Sequence, residues 1–452
     1  MAEQVDVVVV GLGVGGEETA GRLAQAGLRV VGIESRLVGG ECPYYGCIPS
    51  KMMIRAANLI AETRRVDGIA GTATVRPDWA PVAKRIREEA TDTWNDQVAV
   101  DRLVGKGATV IKDVATITGP NTVRAGDTEY EAARGIVIAT GTVPSVPPID
   151  GLAGTPYWTN REAIEVETLP ASLLILGGGA IGMELAQVFA RFGVQVTVIE
   201  GAPEVLAMEE PESGVLAREA LERDGVTFRL GAHANQVGYA GGAFTVTLED
   251  GTTATGEKLL VATGRRVATA DLGIDKLGLD PAARRIEVDE HVRAGDKVWA
   301  VGDVTGVGAF THNAMYQADI AVRDILQEPG APTASYHAMP RVTFTDPEIG
   351  AVGLTEKQAR DAGLNIRTGS TQIPASSRGW IHKAGNEGFI KVVMDADRGV
   401  LVGATSAGPT GGEVLSALAV AVHAAVPVNS LRQMIYAYPT FHRAISEALK
   451  EL

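Results

Sequence analysis

Asp6-Val7-Val8-Val9-Val10-Gly11-Leu12-Gly13-Val14-Gly15-Gly16 is the stretch on which the fold turns. The apolar run from Asp6 to Val10 reads as a fully buried strand, and a glycine-rich turn follows it without a break. Glu17 to Ala26 is amphipathic at helical spacing, and Arg29-Val30-Val31-Gly32-Ile33 then forms a second strand that closes on Glu34. Gly11, Gly13 and Gly16 permit a tight turn and let a pyrophosphate approach the N–H groups of a helix start. Glu34, eighteen residues after Gly16, is placed to accept from the two hydroxyls of an adenosine ribose. A lone G-x-G-x-x-G says little. One lodged between strand and helix, with an acid at the end of the next strand, predicts a dinucleotide site.

The chain then repeats the pattern. Leu173-Leu174-Ile175-Leu176 runs into Gly177-Gly178-Gly179-Ala180-Ile181-Gly182, Met183 to Phe192 reads as a helix, and Val194 to Ile199 ends on Glu200. Ala139-Thr140-Gly141 and Ala262-Thr263-Gly264 each follow a β-branched run and extend the internal duplication. Two dinucleotide sites in one polypeptide imply two dinucleotides, most simply a flavin and a nicotinamide.

Cys42 and Cys47 are the only cysteines in 452 residues and lie in Gly39-Gly40-Glu41-Cys42-Pro43-Tyr44-Tyr45-Gly46-Cys47-Ile48-Pro49-Ser50-Lys51. Five residues of regular helix rise about 7.5 Å and turn the two side chains to different faces. A disulfide needs Cα atoms within about 7 Å, so a bridge requires a distorted helix start. Pro43, Gly46 and Pro49 supply the means. The plainer alternative is a pair of reduced core thiols.

Together these segments resemble the pyridine nucleotide–disulfide oxidoreductases, the two-dinucleotide flavoproteins that include dihydrolipoamide dehydrogenase, glutathione reductase and mercuric reductase. Val298-Trp299-Ala300-Val301-Gly302-Asp303 is similar to the family's segment at the flavin ribityl chain, and Pro340 to Gly350 to the opening of its interface domain. The resemblance implies an α/β protein with two Rossmann-like dinucleotide-binding domains and a C-terminal α+β dimerisation domain. The expected division is 1–155 for the first part of the FAD domain, 156–270 for the NAD domain, 271–336 for the returning FAD segment and 337–452 for the interface. The stretch from Pro81 to Val104 reads as one long helix of the FAD domain.

The resemblance also implies site residues. Gly11, Gly13, Gly16, Glu34, Lys51, Ala115, Thr140, Gly141 and Asp303 are expected at FAD, and Gly177, Gly179, Gly182, Glu200 and Gly264 at NAD. Cys42 and Cys47 would form the redox disulfide, with Cys47 nearer the flavin and Cys42 as the interchange thiol. A thiolate at neutral pH is favoured by a helix N-terminus and a nearby positive charge. Lys51 would pair with Glu184 beside the flavin's reactive nitrogen; the alternative is two ordinary surface charges. Glu200 favours NAD, since it would repel a 2′-phosphate and Gly201 to Glu210 contain no lysine or arginine. His312, in Thr311-His312-Asn313-Ala314, is expected as packing near the cofactor.

The C-terminus departs from the family. Disulfide reductases end with a His-Pro-Thr segment whose histidine shuttles protons in the partner subunit's site, with a glutamate to orient it. Here the segment reads Tyr436-Ala437-Tyr438-Pro439-Thr440-Phe441-His442-Arg443, with Tyr438 for the histidine and Arg443 for the glutamate. A tyrosine in water titrates near about 10, against about 6.5 for a histidine. Losing a positioned acid–base group typically costs about 10²- to 10⁴-fold. His442 compensates only if the turn after Pro439 is helical and points it inward; otherwise it is a surface or interface histidine.

Composition narrows the rest. A formal charge of −14 argues against nucleic acid or an anionic membrane as partner. No signal peptide is expected ahead of the first strand, and the longest apolar stretch, Leu415 to Val428, is too short to span a bilayer. A cytoplasmic homodimeric enzyme acting on a small-molecule acceptor is expected. Three readings stand: an NADH-dependent reductase of a small disulfide, quinone or other electrophile; a divergent dihydrolipoamide dehydrogenase of a multienzyme complex; and a flavin-bound sensor with incidental turnover. Mercuric reductase would need a second cysteine pair near the C-terminus, and soluble transhydrogenases lack one of the two cysteines kept here.

Overall fold

The computed structural model describes residues 2–452. The chain divides into two compact units, one of residues up to Pro49, Lys84–Ser145 and Arg265–Tyr336, the other of Ser50–Ala83, Val146–Gly264 and His337–Leu452.

The first unit is built on a sheet ordered Arg293–Gly295, Val298–Ala300, Thr128–Ile138, Glu3–Val10, Val30–Glu34 and Thr109–Lys112. Its inner pairings are parallel, with Val7 opposite Val30 and Val10 opposite Ile33. A parallel sheet covered on both faces needs near-continuous apolar strands, and the valine run supplies them. Val7 and Val9 face one core with Ala20, Leu23 and Ile320, while Val8 and Val10 face the other with Ile136, Ile138 and Val304. The glycine turn leads into the helix Val14–Gln25, as the pattern requires.

The second unit repeats that arrangement in a four-stranded parallel sheet, Thr227–Leu230, Gln195–Glu200, Ser172–Leu176 and Lys258–Val261. The helix Ala180–Arg191 follows its glycine turn. The same unit carries a three-stranded antiparallel sheet over Ala234–Gly256 and a five-stranded antiparallel sheet whose central strands are Val400–Gly408 and Phe389–Asp395. Leu415, Leu418 and Val422 of the helix Gly411–His423 pack against that larger sheet, with Ala448 and Leu449 of Ala444–Lys450. Among the described residues no helix is long and apolar enough to cross a membrane.

The long helix expected from Pro81 to Val104 is interrupted. Ala80–Arg85 is α-helical, Ile86–Ala90 widens into a π turn, and Asp92, Thr93 and Trp94 take φ of 47°, 57° and 55° before a new helix, Gln97–Gly105. Short polar side chains compete for the backbone there. The Thr91 hydroxyl bonds the Ile86 and Arg87 carbonyls, and Asp96 accepts from the Val38 N–H.

Candidate active site

The two glycine turns are built alike, atom for atom. Glu34 accepts from the Leu12 N–H at 2.8 Å through one carboxylate oxygen and from the Arg36 N–H at 2.8 Å through the other. Glu200 does the same with Gly178 N–H at 2.5 Å and Ala202 N–H at 2.7 Å. Each acid therefore holds its own glycine loop while standing at the end of the second strand. Gly11 and Gly177 have φ of +90° and +108°, and a Cβ there would meet the carbonyl oxygens of Ala139 and Ala262 at 2.6 and 2.5 Å. A Cβ on Gly16 or Gly182 would lie 2.0 or 2.1 Å from the carbonyl of the first glycine of its turn. Gly13 and Gly179 cap the two helices, and Gly141 and Gly264 turn at positive φ. The donors at both helix starts suit a pyrophosphate.

In the first unit, Gly40 crosses so close to this turn that a Cβ would fall 2.7 Å from the Gly13 Cα. The cysteine segment is thereby tied to the first dinucleotide loop. The Thr140 hydroxyl is buried without a hydrogen-bond partner, as expected of a group kept for a bound molecule. Asp303 accepts from the Thr142 hydroxyl at 3.0 Å, and Arg265 donates to the Thr142 hydroxyl and carbonyl at 2.7 and 2.8 Å. Burial pushes the Asp303 carboxyl above the usual range, against the pull of Thr142 and Arg265. Arg265 also lies 3.7 Å from Glu41, the neighbour of Cys42. Ala115 begins the strand Ala115–Gly119 and is buried in the apolar core.

The distorted helix start is present. A short helix, Glu41–Tyr45, ends at Gly46 with φ −130° and ψ −118°, and a new helix, Cys47–Arg64, begins. The expected bond between Cys42 and Cys47 is not formed in this structure; both are thiols, hydrogen-bonded to each other. That bond, then burial, drives the Cys42 thiol far above its ordinary range, while Thr311 opposes the shift. Cys47 is exposed in the protein alone, with the Thr311 hydroxyl 3.3 Å from its sulfur. His312, expected as packing near the cofactor, is exposed and stacked on Phe310 at 5.2 Å.

In the second unit, Lys51 and Glu184 do meet. Lys51 Nζ donates to Glu184 at 2.7 Å and lies 4.6 Å from the centre of the Phe344 ring. The other oxygen of Glu184 accepts from the Phe344 N–H at 2.8 Å. Glu184 is buried and Lys51 partly exposed, so the surface-charge alternative is set aside. The segment after Pro439 is not helical: turns at 438–439 and 442–443 flank an irregular stretch, and the next helix is Ala444–Lys450. Pro439 lies in a cis peptide bond with Tyr438. His442 packs near the buried Tyr436 at 6.0 Å, while Tyr438 is 68% exposed.

Residues 5–318 match the family described as pyridine nucleotide-disulphide oxidoreductase, and residues 339–449 match that family's dimerisation domain. The chain belongs to the pyridine nucleotide-disulphide oxidoreductases. It is similar to a dihydrolipoyl dehydrogenase of Thermus scotoductus, 34% identical over 99% of this chain and 97% of that protein. A dihydrolipoyl dehydrogenase of Halobacterium salinarum is 35% identical over 98% and 95%. Among solved structures, the Cu(II) complex of the HOCl-induced flavoprotein disulfide reductase RclA from Escherichia coli superposes with a TM-score of 0.87 at 28% identity, covering 100% and 99% of the two chains. LpdA from Mycobacterium tuberculosis gives 0.86 at 26%, covering 99% of each. As a member of this family the protein is an FAD-dependent oxidoreductase that uses a nicotinamide nucleotide. Its glycine loops and the unpartnered Thr140 hydroxyl fit those cofactors.

Three contributors escaped the sequence reading. Arg265 directly follows the second Ala-Thr-Gly, Thr311 precedes His312, and Phe344 lies in the interface-domain opening. Thr311 and Phe344 stood in quoted segments and Arg265 directly after one, but the contact each makes joins segments far apart in the chain.

Proposed function

We propose that this protein is an NADH-dependent FAD oxidoreductase that uses Cys42 and Cys47 as a redox pair and delivers electrons to a small acceptor needing no histidine proton shuttle, a quinone above all. The observation that carries this reading is Tyr438, exposed and overlain by Arg443 where the family has its histidine and glutamate. His442, turned toward Tyr436, offers no replacement.

Bound FAD would supply the two-electron relay between nicotinamide and acceptor. Gly11, Gly13, Gly16, Glu34, Thr140, Gly141 and Asp303 would hold it; Gly177, Gly179, Gly182, Glu200 and Gly264 would hold NADH. When the Cys42–Cys47 bond takes up two electrons and one proton, the proton stays on Cys42, whose thiol is pushed upward, and Cys47 keeps the charge. The expected domain division, the homodimer and the cytoplasmic location belong to the same reading; the dimerisation domain and its almost fully exposed Ile435 support the dimer.

Steady-state assays with NADH decide between acceptors. A kcat/KM for a benzoquinone at least about 10²-fold above that for lipoamide supports the proposal. The names of the 31–35% identical relatives favour a second reading, a divergent dihydrolipoyl dehydrogenase. Lipoamide turnover equal to quinone turnover, lost in His442→Ala, would establish that one instead.

A further inference from the structure

Two helices of the second unit are cross-linked twice, at the same interval. Lys51 on Cys47–Arg64 meets Glu184 on Ala180–Arg191. Seven residues further along each helix, Asn58 meets Arg191: Arg191 donates to the Asn58 side-chain oxygen at 2.7 Å. Seven residues are about two turns, or about 10.5 Å of rise. A third segment is bound at both levels, through the Phe344 N–H on Glu184 and through Asp346, which accepts from Arg191 at 2.7 Å.

Arg191 is only 1% exposed, and its Nε–H donates to Asp224 at 2.8 Å. Gln187, one turn before it, donates to Asp224 and to the Asp346 carbonyl and accepts from the Asp346 N–H. Arg65 donates to Asp346 at 2.7 Å. Burial would raise the Asp346 carboxyl, but Arg191 and Arg65 outweigh it and hold it below the usual range.

A buried ionic hub is weak evidence for stability, since well-packed apolar residues often serve as well or better; fixing a register is its best-attested use. The lysine, a point charge on a flexible stem, cannot by itself stop a small slide of the helices that would draw it off Glu184. The planar guanidinium, held to three partners, can. We propose that Arg191, acting through Asn58, is a positioning residue that fixes the axial register of the two helices and so holds Lys51 on Glu184. The consequence for the flavin rests on the proposed function and on the place beside FAD that the family resemblance implies for that ion pair.

Asn58 gives the cleaner test, because removing Arg191 would take a buried cation from two partly buried carboxylates, Asp224 and Asp346, and risk unfolding. In FAD-loaded protein, Lys51→Met, Glu184→Gln and the double variant measure the coupling of the pair in thermal unfolding. The same cycle is then run in Asn58→Leu and in Asn58→Asp, which keeps the acceptor. The coupling should at least halve in the first background and return in the second. Asn58→Leu should also slow flavin reduction by NADH about tenfold, as a small misplacement would, and Asn58→Asp should not. Full coupling in Asn58→Leu, or none in the wild-type background, would overturn the proposal. If Lys51→Met leaves the flavin spectrum and its reduction unchanged, the placement of the pair beside FAD fails instead, while the unfolding cycle still decides the brace.

Discussion

The Arg443 guanidinium lies 5.5 Å from the centre of the Tyr438 ring. A cation over an aromatic face is attracted by the ring's charge distribution. The two residues expected where the family has its histidine and glutamate therefore form a pair, one that offers a hydroxyl and a fixed positive charge. Tyr438→Phe keeps the ring and the stacking, and should leave quinone reduction within about twofold of wild type. Tyr438→His should raise lipoamide turnover, and Tyr438→His with Arg443→Glu should raise it further, toward the 10²- to 10⁴-fold worth of a positioned acid–base group. His442→Ala should change neither. Steady-state kinetics with both acceptors check all four.

Much of the fold was legible because its signals are local. A glycine turn between an apolar strand and a helix fixes itself within a few residues, and Glu34 and Glu200 stand at the strand ends that the pattern implies. The Lys51–Glu184 pair was legible only through the family resemblance, since 133 residues separate its halves. Arg191 gave no signal at all. Its partners Asn58, Asp224 and Asp346 are 133, 33 and 155 residues distant, and an arginine ending a helix reads as solvated. The break at 91–96 was missed because helical propensity extends over both flanks, while Thr91 and Asp96 act through hydrogen bonds that a pattern does not show.

Under the proposed function, cofactor choice is expected to follow from Glu200. Both of its oxygens already hold loop N–H groups, which aims the carboxylate and concentrates negative charge where a 2′-phosphate would enter. NADH should exceed NADPH in kcat/KM by about 10²-fold or more, the worth of one or two charge-assisted hydrogen bonds. Glu200→Ala should narrow the gap mainly by weakening NADH, since the loop loses its anchor as well. A variant that instead improves NADPH without loss of NADH would contradict this view of the loop.

The cysteine roles can be separated by colour. With Cys42 held as the thiol, the long-wavelength thiolate–flavin absorption of the NADH-reduced enzyme should depend on Cys47. Cys47→Ser should bind FAD and be reduced by NADH yet lack that band, whereas Cys42→Ser should retain it. Stopped-flow spectra of the two variants check this. A band that persists in Cys47→Ser and vanishes in Cys42→Ser would exchange the roles.

The last prediction concerns Asp303 and pH. Its carboxyl is raised from an ordinary value of 3.8 first by burial, with Thr142 and Arg265 opposing and Glu41 adding to the rise. A raised folded value means that the folded state holds the proton better than the unfolded one. The contribution to stability is therefore complete below pH 3.8 and is lost as pH rises through the folded value. Above it, the flavin-free protein carries a largely buried charge, whose proposed use is to bind the cofactor. Asp303→Asn removes that cost and keeps an acceptor for the Thr142 hydroxyl. In flavin-free protein, the variant should unfold at the same temperature as wild type near pH 4 and about 2 °C higher at pH 7. The same change should weaken FAD about 10- to 100-fold, the worth of a hydrogen bond to a charged group. Scanning calorimetry across pH, with flavin fluorescence titration at pH 7, measures both. Parallel unfolding curves at every pH would mean that Asp303 bears no such strain, and unchanged FAD affinity would remove it from the flavin site.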